Sequence, residues 1–236
     1  IQWGLIVGPV DQNDHDTLHM ATNLVPFQQF LPVLAQTDDD STSKEMLYDA
    51  LFLAIRNLVD PAALPPFPIF WDDDDVRSNP SLNNFTVNWR EDAKHVVIVF
   101  SDEKGQSYLN PQITQGVINQ YAAASDDLHI YTFSGNGEQN GPHGWGPVVH
   151  NGDWNLLTSN ALQMFDRLMQ IIDETACGGG GEDPAEMEQE AAFTPMGPLY
   201  FPYGAGRQNE GLKYILTSHY ESLLYRWDEM VCLPPE

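Results

Sequence analysis

The sequence predicts an α/β protein: a doubly wound, mostly parallel sheet with helices on both faces, followed by an irregular C-terminal extension. Residues 94–100, KHVVIVF, form a continuous apolar and β-branched run, which is typical of a strand buried on both faces of a parallel sheet. Residues 43–59 and 155–175 carry apolar side chains at helical spacing. Strand-like and helix-like segments alternate over residues 1–175, which favours helices on both faces of one sheet.

The N-terminal part is expected to hold two strands and a helix. Residues 1–10 and 18–25 have the apolar content of strands, and the polar residues 11–17 between them predict a loop. Residues 26–34 fit a short helix or a turn. In the helix predicted at 43–59, a serine or threonine at 41–43 can cap the first turn, Glu45 suits the helix dipole, and Pro61 ends the pattern.

The rest of the chain predicts further alternation and then a change of character. We expect 94–100 to be the central strand, flanked by strands at 3–8 and 128–133. Residues 178–236 are rich in Gly and Pro and read as an extension of an α/β domain at 1–177. The other segments are a Pro- and Asp-rich loop at 60–88, a helix at 111–124, a Gly-rich loop at 134–153 and an element of undecided type, strand or helix, at 212–227.

Composition excludes some classes of partner. The chain has 236 residues, 42% of them hydrophobic, which is enough for a core. Its 10 Lys and Arg stand against 34 Asp and Glu, a net charge of −24, so nucleic acid and anionic membrane surfaces are disfavoured. No apolar run approaches the roughly 20 residues that span a bilayer. The opening IQWGLIVGPV shows no signal peptide, as would also hold for a mature chain that had lost its leader.

Two cysteines bear on the compartment. Cys177 and Cys232 are the only pair and bracket a segment with little periodic core, so we expect a disulfide between them. Closing this loop contributes roughly 4 kcal/mol in the chain-entropy model. A disulfide indicates an extracellular, cell-surface or periplasmic location; the alternative is two unrelated buried thiols. Asn84-Phe85-Thr86 matches a glycosylation sequon, a triplet too common to carry weight.

Several polar or aromatic residues are weaker candidates for binding. The Asp runs 38–40 and 72–75 either hold Ca²⁺ or are solvated loops, and they lack the EF-hand spacing. Trp145 and Trp154 are candidate partner-binding residues, or else they pack within their loop. His143 and His150 suit a transition metal, or they are surface histidines. Gly135-Asn136-Gly137 is too broken in sequence to be a phosphate loop, and the common hydrolase and nucleotide motifs are absent.

The stretch WREDAKHVVIVFSDEKGQSY, residues 89–108, resembles the fourth-strand region of von Willebrand factor A (VWA) domains. In that family a hydrophobic strand ends in Ser/Thr-Asp at the metal-ion-dependent adhesion site, and the pair here is Ser101-Asp102. EMLYDALFLA, residues 45–54, is similar to the helix that opens with a metal-site residue, closest to integrin β-type and bacterial secreted VWA proteins. WGLIVGP and LHMATNLVPFQQFL resemble the second strand and the third strand with its turn.

The resemblance implies a site for Mg²⁺ or Ca²⁺ on Asp102 and Glu45, with Thr42 and Ser43 as fallback ligands for the second position. The family's first-strand Asp-x-Ser-x-Ser loop is missing from this sequence. Either the chain lacks that first strand or the site has been lost. Two carboxylates alone are expected to hold Mg²⁺ weakly, because it gives up its water reluctantly.

These observations predict a binding module and not an enzyme. The expected role is adhesion or surface assembly. The resemblance to VWA domains implies that a divalent cation bridges the domain and an acidic residue of a protein partner. One alternative is a metal-dependent hydrolase that uses Asp102 and Glu103 as paired carboxylates. The other is a purely structural subunit of a surface polymer, which self-assembles through large contacts with its own copies.

Overall fold

The computed structural model describes residues 1–11, 16–36, 46–60, 70–71, 86–91, 93–158 and 160–176. The chain divides into two compact units, Ile1–Leu157 and Thr158–Glu236. The elements of the first unit are β1 (Trp3–Asp11), β2 (Asp16–Val25), α1 (Phe27–Gln36), α2 (Leu47–Val59), β3 (Phe70–Trp71), β4 (His95–Ser101), β5 (Leu109–Asn110), α3 (Gln115–Ala122), β6 (Leu128–Ser134), a 3₁₀-helix (Gly146–Val148) and β7 (Trp154–Leu156). The second unit contributes α4 (Ala161–Ala176).

The described strands form a parallel sheet and two antiparallel pairs, so the fold is mixed α/β. The parallel sheet has the order β4-β6-β7. β4 and β6 pair without a register shift, from His95 opposite Leu128 to Ser101 opposite Ser134. β1 pairs with β2, and β3 with β5, in antiparallel orientation. The parallel pairing matches the prediction for strands joined by a helical crossover, which here is α3.

The predicted position of β4 is wrong within the described sheet. β6, and not β4, is its middle strand, and β1 pairs with β2 and not with β4. Every residue of β6 except His129 is buried, whereas Val96, Val97 and Ile98 of β4 are only partly buried. The sequence predicted the wrong strand order because β4 has the more continuous apolar run. β6 also contains the polar residues Thr132 and Ser134, but these are buried together with its apolar residues.

Helix α2 is the centre of the first unit. Ten consecutive residues, from Tyr48 to Asn57, are buried, as expected for a helix that is surrounded on all sides. It packs against β1, β4 and α3. The core it organises comprises Leu18, Met46, Tyr48, Ala50, Leu51, Phe52, Leu53, Ile55, Val99, Leu109, Ile113, Ile118, Ala122, Leu128, Ile130, Trp145 and Val148.

The helix predicted at 43–59 begins at Leu47, and its N-cap is Met46, which makes no side-chain cap hydrogen bond. The predicted cap at 41–43 and the predicted place of Glu45 in the first turn are therefore wrong, and Asp49 is the acidic residue of that turn.

Two further helix starts differ from the sequence prediction for local reasons. The helix predicted at 111–124 begins at Gln115, because the Thr114 side chain accepts a hydrogen bond from the Val117 N–H and caps it. The helix predicted at 155–175 begins at Ala161, because residues 154–156 pair with β6 as strand β7. The Asn160 side chain then accepts a hydrogen bond from Gln163 N–H at 3.3 Å.

Helix α4 shows the predicted amphipathic pattern. Its buried residues are Met164, Phe165, Leu168, Met169, Ile171, Ile172 and Thr175. On the opposite side, Arg167 and Glu174 form an ion pair at 3.2 Å. Among the described helices none is both long and apolar enough to cross a membrane. The predicted extension 178–236, the element at 212–227 and both cysteines lie outside the described residues.

Candidate functional site

The candidate site lies where the parallel strands end. Ser101 and Ser134 are the last residues of β4 and β6 and are register partners. Ligands of open parallel sheets bind outside the carboxyl ends of the strands. Here this carboxyl edge is covered by two loops, residues 102–108 after β4 and residues 135–153 after β6.

Asp102 and Glu103 are exposed at the very start of the first loop. The Ser101 hydroxyl fixes this turn: it accepts a hydrogen bond from Glu103 N–H at 3.1 Å and donates one to the Glu103 carbonyl at 2.9 Å. The same carbonyl accepts a hydrogen bond from Trp145 Nε1–H at 2.8 Å, which ties the two loops together. Asp102 and Glu103 are therefore exposed to solvent, while hydrogen bonds from Ser101 and Trp145 fix the backbone of their turn.

Asp49 is a buried carboxyl group beneath this loop. Its side chain has no exposed surface. It accepts hydrogen bonds from the Ser107 hydroxyl at 2.5 Å and from Tyr108 N–H at 2.7 Å, and a third from the backbone of Leu109. Burial raises the pKa of Asp49 to about 7, against the lowering effect of these three donors. Asp49 thus joins the first turn of α2 to the loop after β4.

Sequence reasoning did not single out Asp49 as a functional residue. A signal was present, because an acidic residue lies among the apolar positions of the most hydrophobic helix. A carboxylate in such a stripe is either exposed on the polar face or buried with hydrogen-bond partners. The hydrogen-bond partners, Ser107 to Leu109, are about 60 residues away in sequence. Whether Asp49 is exposed or buried therefore depends on the tertiary fold.

Tyr48 links α2 to the second loop. Its hydroxyl donates to the Gly144 carbonyl at 2.8 Å and accepts from Gln115 Nε2 at 3.2 Å. Burial raises its pKa above the ordinary value of tyrosine. Gly105 lies directly against the Tyr48 ring, where a Cβ atom would overlap the ring carbons. Gln115 also donates to the carbonyls of Gly141 and Gly144, at 2.8 and 2.9 Å, and so holds the tip of the loop.

The two predicted partner-binding tryptophans have different environments. Trp145 has no exposed surface, and its ring packs edge-on against Tyr48 with a centroid distance of 5.1 Å. Trp154 is partly buried and donates its Nε1–H to the Ser134 hydroxyl at 2.8 Å. The structure therefore places Trp145 in the core, as in the loop-packing alternative, while Trp154 keeps some surface at the edge of the sheet.

The proposed metal ligands are only partly within the described residues. Asp102 is placed at the carboxyl edge, but Glu45, Thr42 and Ser43 lie outside the described ranges, as do the Asp runs 38–40 and 72–75 and Asn84. Within those ranges, no three side chains of His, Cys, Asp or Glu converge on a point that suits a metal ion. His143 is exposed in the second loop, and His150 is partly buried.

A second polar cluster lies at the opposite, amino end of β4. The Trp89 indole N–H donates to the Ala54 carbonyl at 2.9 Å, and Asn57 donates to the Val87 carbonyl at 2.6 Å. His95 packs edge-on against Trp89 and bonds the Arg90 carbonyl through Nε2 at 2.7 Å. These contacts attach the segment before β4 to the end of α2, which is a structural role.

Comparisons with protein-family models, with curated proteins and with solved structures find no match to this chain.

Proposed function

We propose that this chain is a VWA-like protein-binding module, and not an enzyme, that engages its partner at the carboxyl edge of the parallel sheet. Asp102 is the principal ligand of a divalent cation, Mg²⁺ or Ca²⁺, that bridges the chain and an acidic group of the partner. The setting is extracytoplasmic: extracellular, at a cell surface or periplasmic.

The observation that carries this proposal is the presentation of Asp102 and Glu103. Both carboxylates are exposed, yet the backbone beneath them is fixed by the Ser101 hydroxyl and by the Trp145 indole. A binding group that is already ordered loses little conformational entropy when a ligand arrives. Exposed carboxylates on a rigid turn suit an open site that a partner approaches from solvent.

The parallel pairing of β4 and β6, which are connected through α3, supports the proposal of a VWA-like fold. β1 and β4 both pack on α2, but they belong to separate sheets in the described part of the chain. In the family, the strand that carries the Asp-x-Ser-x-Ser loop would complete the cation site next to Asp102.

The hydrolase alternative gains no support from the buried carboxyl group. A general acid or base needs a tuned pKa together with access to the substrate. Asp49 has the raised pKa, but it has no exposed surface and already accepts three hydrogen bonds from the protein. It therefore acts on the loop that carries Asp102 and Glu103 and cannot touch a substrate.

The test is a titration with Mn²⁺, a paramagnetic substitute for Mg²⁺, followed by NMR. We expect weak binding with selective broadening of the amide signals at residues 102–104. Asp102→Asn should abolish this broadening. Asp126→Asn, which changes an exposed carboxylate at the amino end of β6, is the matched control and should leave it intact.

Two results would overturn the assignment of Asp102. The first is broadening that persists in Asp102→Asn. The second is broadening centred on 38–40 or 72–75, which would move the cation to an Asp run. Sedimentation of the same samples addresses the polymer alternative, because a structural subunit should associate with its own copies whether or not the cation is present.

A further inference from the structure

Three Asn-Gly pairs occur in the loop 135–153 that follows β6. Asn136-Gly137 and Asn140-Gly141 lie in its first part, and Asn151-Gly152 lies at its end, just before β7. Glycine lacks a side chain, so the peptide nitrogen that follows asparagine can approach the asparagine amide carbon with little steric hindrance. Attack of this nitrogen on the amide carbon closes a cyclic imide and releases ammonia. By sequence alone, the three pairs are equally suited to this cyclisation.

The structure restrains the third pair. Asn151 donates its side-chain amide to the carbonyls of Asp126 and Leu128, at 3.2 and 3.1 Å, and its own carbonyl accepts from His129 at 2.8 Å. A Cβ atom on Gly152 would lie 2.6 Å from the Ile130 carbonyl oxygen, so the two backbones are in close contact. The amide carbon of Asn151 cannot turn toward the Gly152 nitrogen until these contacts break.

The side-chain amides of the first two asparagines lack such restraints. Asn136, Gly137, Asn140 and Gly141 are all exposed. The Asn140 amide contacts the neighbouring Gln139 side chain at 3.3 Å, in an exposed hydrogen bond. No atom lies within 4 Å of a Cβ position on Gly137 or Gly141, so the glycine side of both peptide groups is open. The Asn140 backbone is held, because it lies against Gly144 and the Gly141 carbonyl accepts hydrogen bonds from Gln115 and from Gly144 N–H. Asn140 therefore differs from Asn151 in its side-chain amide and not in its backbone.

We infer that the loop after β6 is a site of spontaneous isoaspartate formation, at Asn136-Gly137 and Asn140-Gly141, and that the fold protects Asn151-Gly152. The glycine nitrogen attacks Cγ of the asparagine, a C–N bond forms, and the side-chain nitrogen leaves as ammonia with the proton lost by the glycine N–H. The product is a cyclic imide. Water then opens either imide carbonyl and gives aspartate or isoaspartate, with no oxidant or reductant involved.

The product at Asn140 changes the contacts of the loop tip. An isoaspartyl link carries the backbone through the former side chain and adds one methylene before Gly141. The Gly141 carbonyl is held by Gln115, which also bonds Gly144 and the Tyr48 hydroxyl. The reaction therefore displaces one anchor of the loop and adds a carboxylate to the strand ends where Asp102 and Glu103 lie.

The test is ageing of the purified full chain at neutral pH, followed by peptide mass spectrometry with enzymatic detection of isoaspartate. A parallel sample unfolded in urea is the control, because only local sequence acts there. We expect all three pairs to react at similar rates in urea. In the folded chain, we expect Asn151 to be slowed by at least roughly tenfold, since its hydrogen bonds must open first.

Two variants make the outcome decisive. Asn140→Ser and Asn136→Ser should each remove one modified peptide and leave the other. Aged wild-type chain, but not Asn140→Ser, should also show faster hydrogen exchange at Trp145 and Gly146, whose amides close the loop on residues 138 and 139. Equal folded-state rates at Asn151 and Asn140, or no isoaspartate at 136 and 140 while the urea sample reacts, would overturn the inference.

Discussion

The carboxyl group of Asp49 and the hydroxyl group of Ser107 lie 2.5 Å apart and join the first turn of α2 to the loop that follows β4. Ser107 continues the connection, because its oxygen accepts the Ile113 N–H at 2.7 Å just before α3. One buried acid thereby fixes the segment between the carboxyl end of β4 and the start of the next helix.

This acid should make the stability of the fold depend on pH. The pKa of Asp49 rises from 3.8 to about 7 on folding, because burial disfavours the charged form. The stabilisation that protonated Asp49 contributes to the folded state is therefore complete below about pH 4, and it is lost as pH rises toward 7. The loss amounts to about 4 kcal/mol at most.

Asp49→Asn should remove this dependence. The difference in unfolding free energy between wild type and variant, measured by urea denaturation, should change in the variant's favour as pH rises over that range. Asp102→Asn, which alters an exposed carboxylate on the same loop, is the control. Parallel pH profiles for wild type and Asp49→Asn would contradict the buried titration.

Gly105→Ala should destabilise the first unit. The added methyl group would overlap the Tyr48 ring, which is held by Gly144, Gln115 and Trp145 and cannot easily move away. We expect a cost of about 1–3 kcal/mol in thermal or urea unfolding. Gly137→Ala is the matched control, because open space surrounds that position. An equal effect of the two substitutions would contradict the close contact at Gly105.

Trp145→Ala should reduce stability strongly, by about 3–5 kcal/mol, because the ring is fully buried and its N–H bonds the Glu103 carbonyl. Trp154→Ala should cost less, since Trp154 is only partly buried. Urea denaturation measures both. A partner-binding residue would behave differently: its substitution would weaken partner binding and leave the unfolding free energy nearly unchanged.

Hydrogen exchange should be slower in β6 than in β4. β6 is paired on both sides in the described sheet, and its Ile130 and Thr132 amides bond the carbonyls of His150 and Asp153. Amides at the centre of a sheet exchange only through larger openings. Two-dimensional NMR after transfer to D₂O measures these rates. Slower exchange at Val97 and Val99 than in β6 would restore β4 as the central strand.

Local patterns in the sequence predicted the positions of the helices and strands better than they predicted which strands pair with each other. The apolar runs identified β4 and β6, and the helical stripes identified α2 and α4. Strand order was predicted less well, because periodicity records burial and not the identity of the partner. The start of α4 was wrong for a related reason: Asn155 and Leu156 fit the helical stripe, but their pairing with β6 outweighs it.

The residues of the candidate site were also predicted only in part. The end of the apolar run placed Asp102 at the carboxyl edge, and its role as a metal ligand stays a prediction. The burial of Trp145 agrees with the alternative that it packs within its loop. The burial of Asp49 was not predicted, because its hydrogen-bond partners at 107–109 are far away in sequence. Glu45, Thr42, Ser43 and the pair Cys177 and Cys232 lie outside the described residues, so these assignments also stay predictions.

The topology implies an order of folding events. β1 and β2 are neighbours along the chain, so their hairpin needs only a short loop closure. β4 and β6 pair in parallel and must first bring together segments that are separated by the loop at the carboxyl edge and by α3. Non-local pairings of this kind slow folding. The turn that presents Asp102 should therefore reach its native form later than the β1–β2 hairpin.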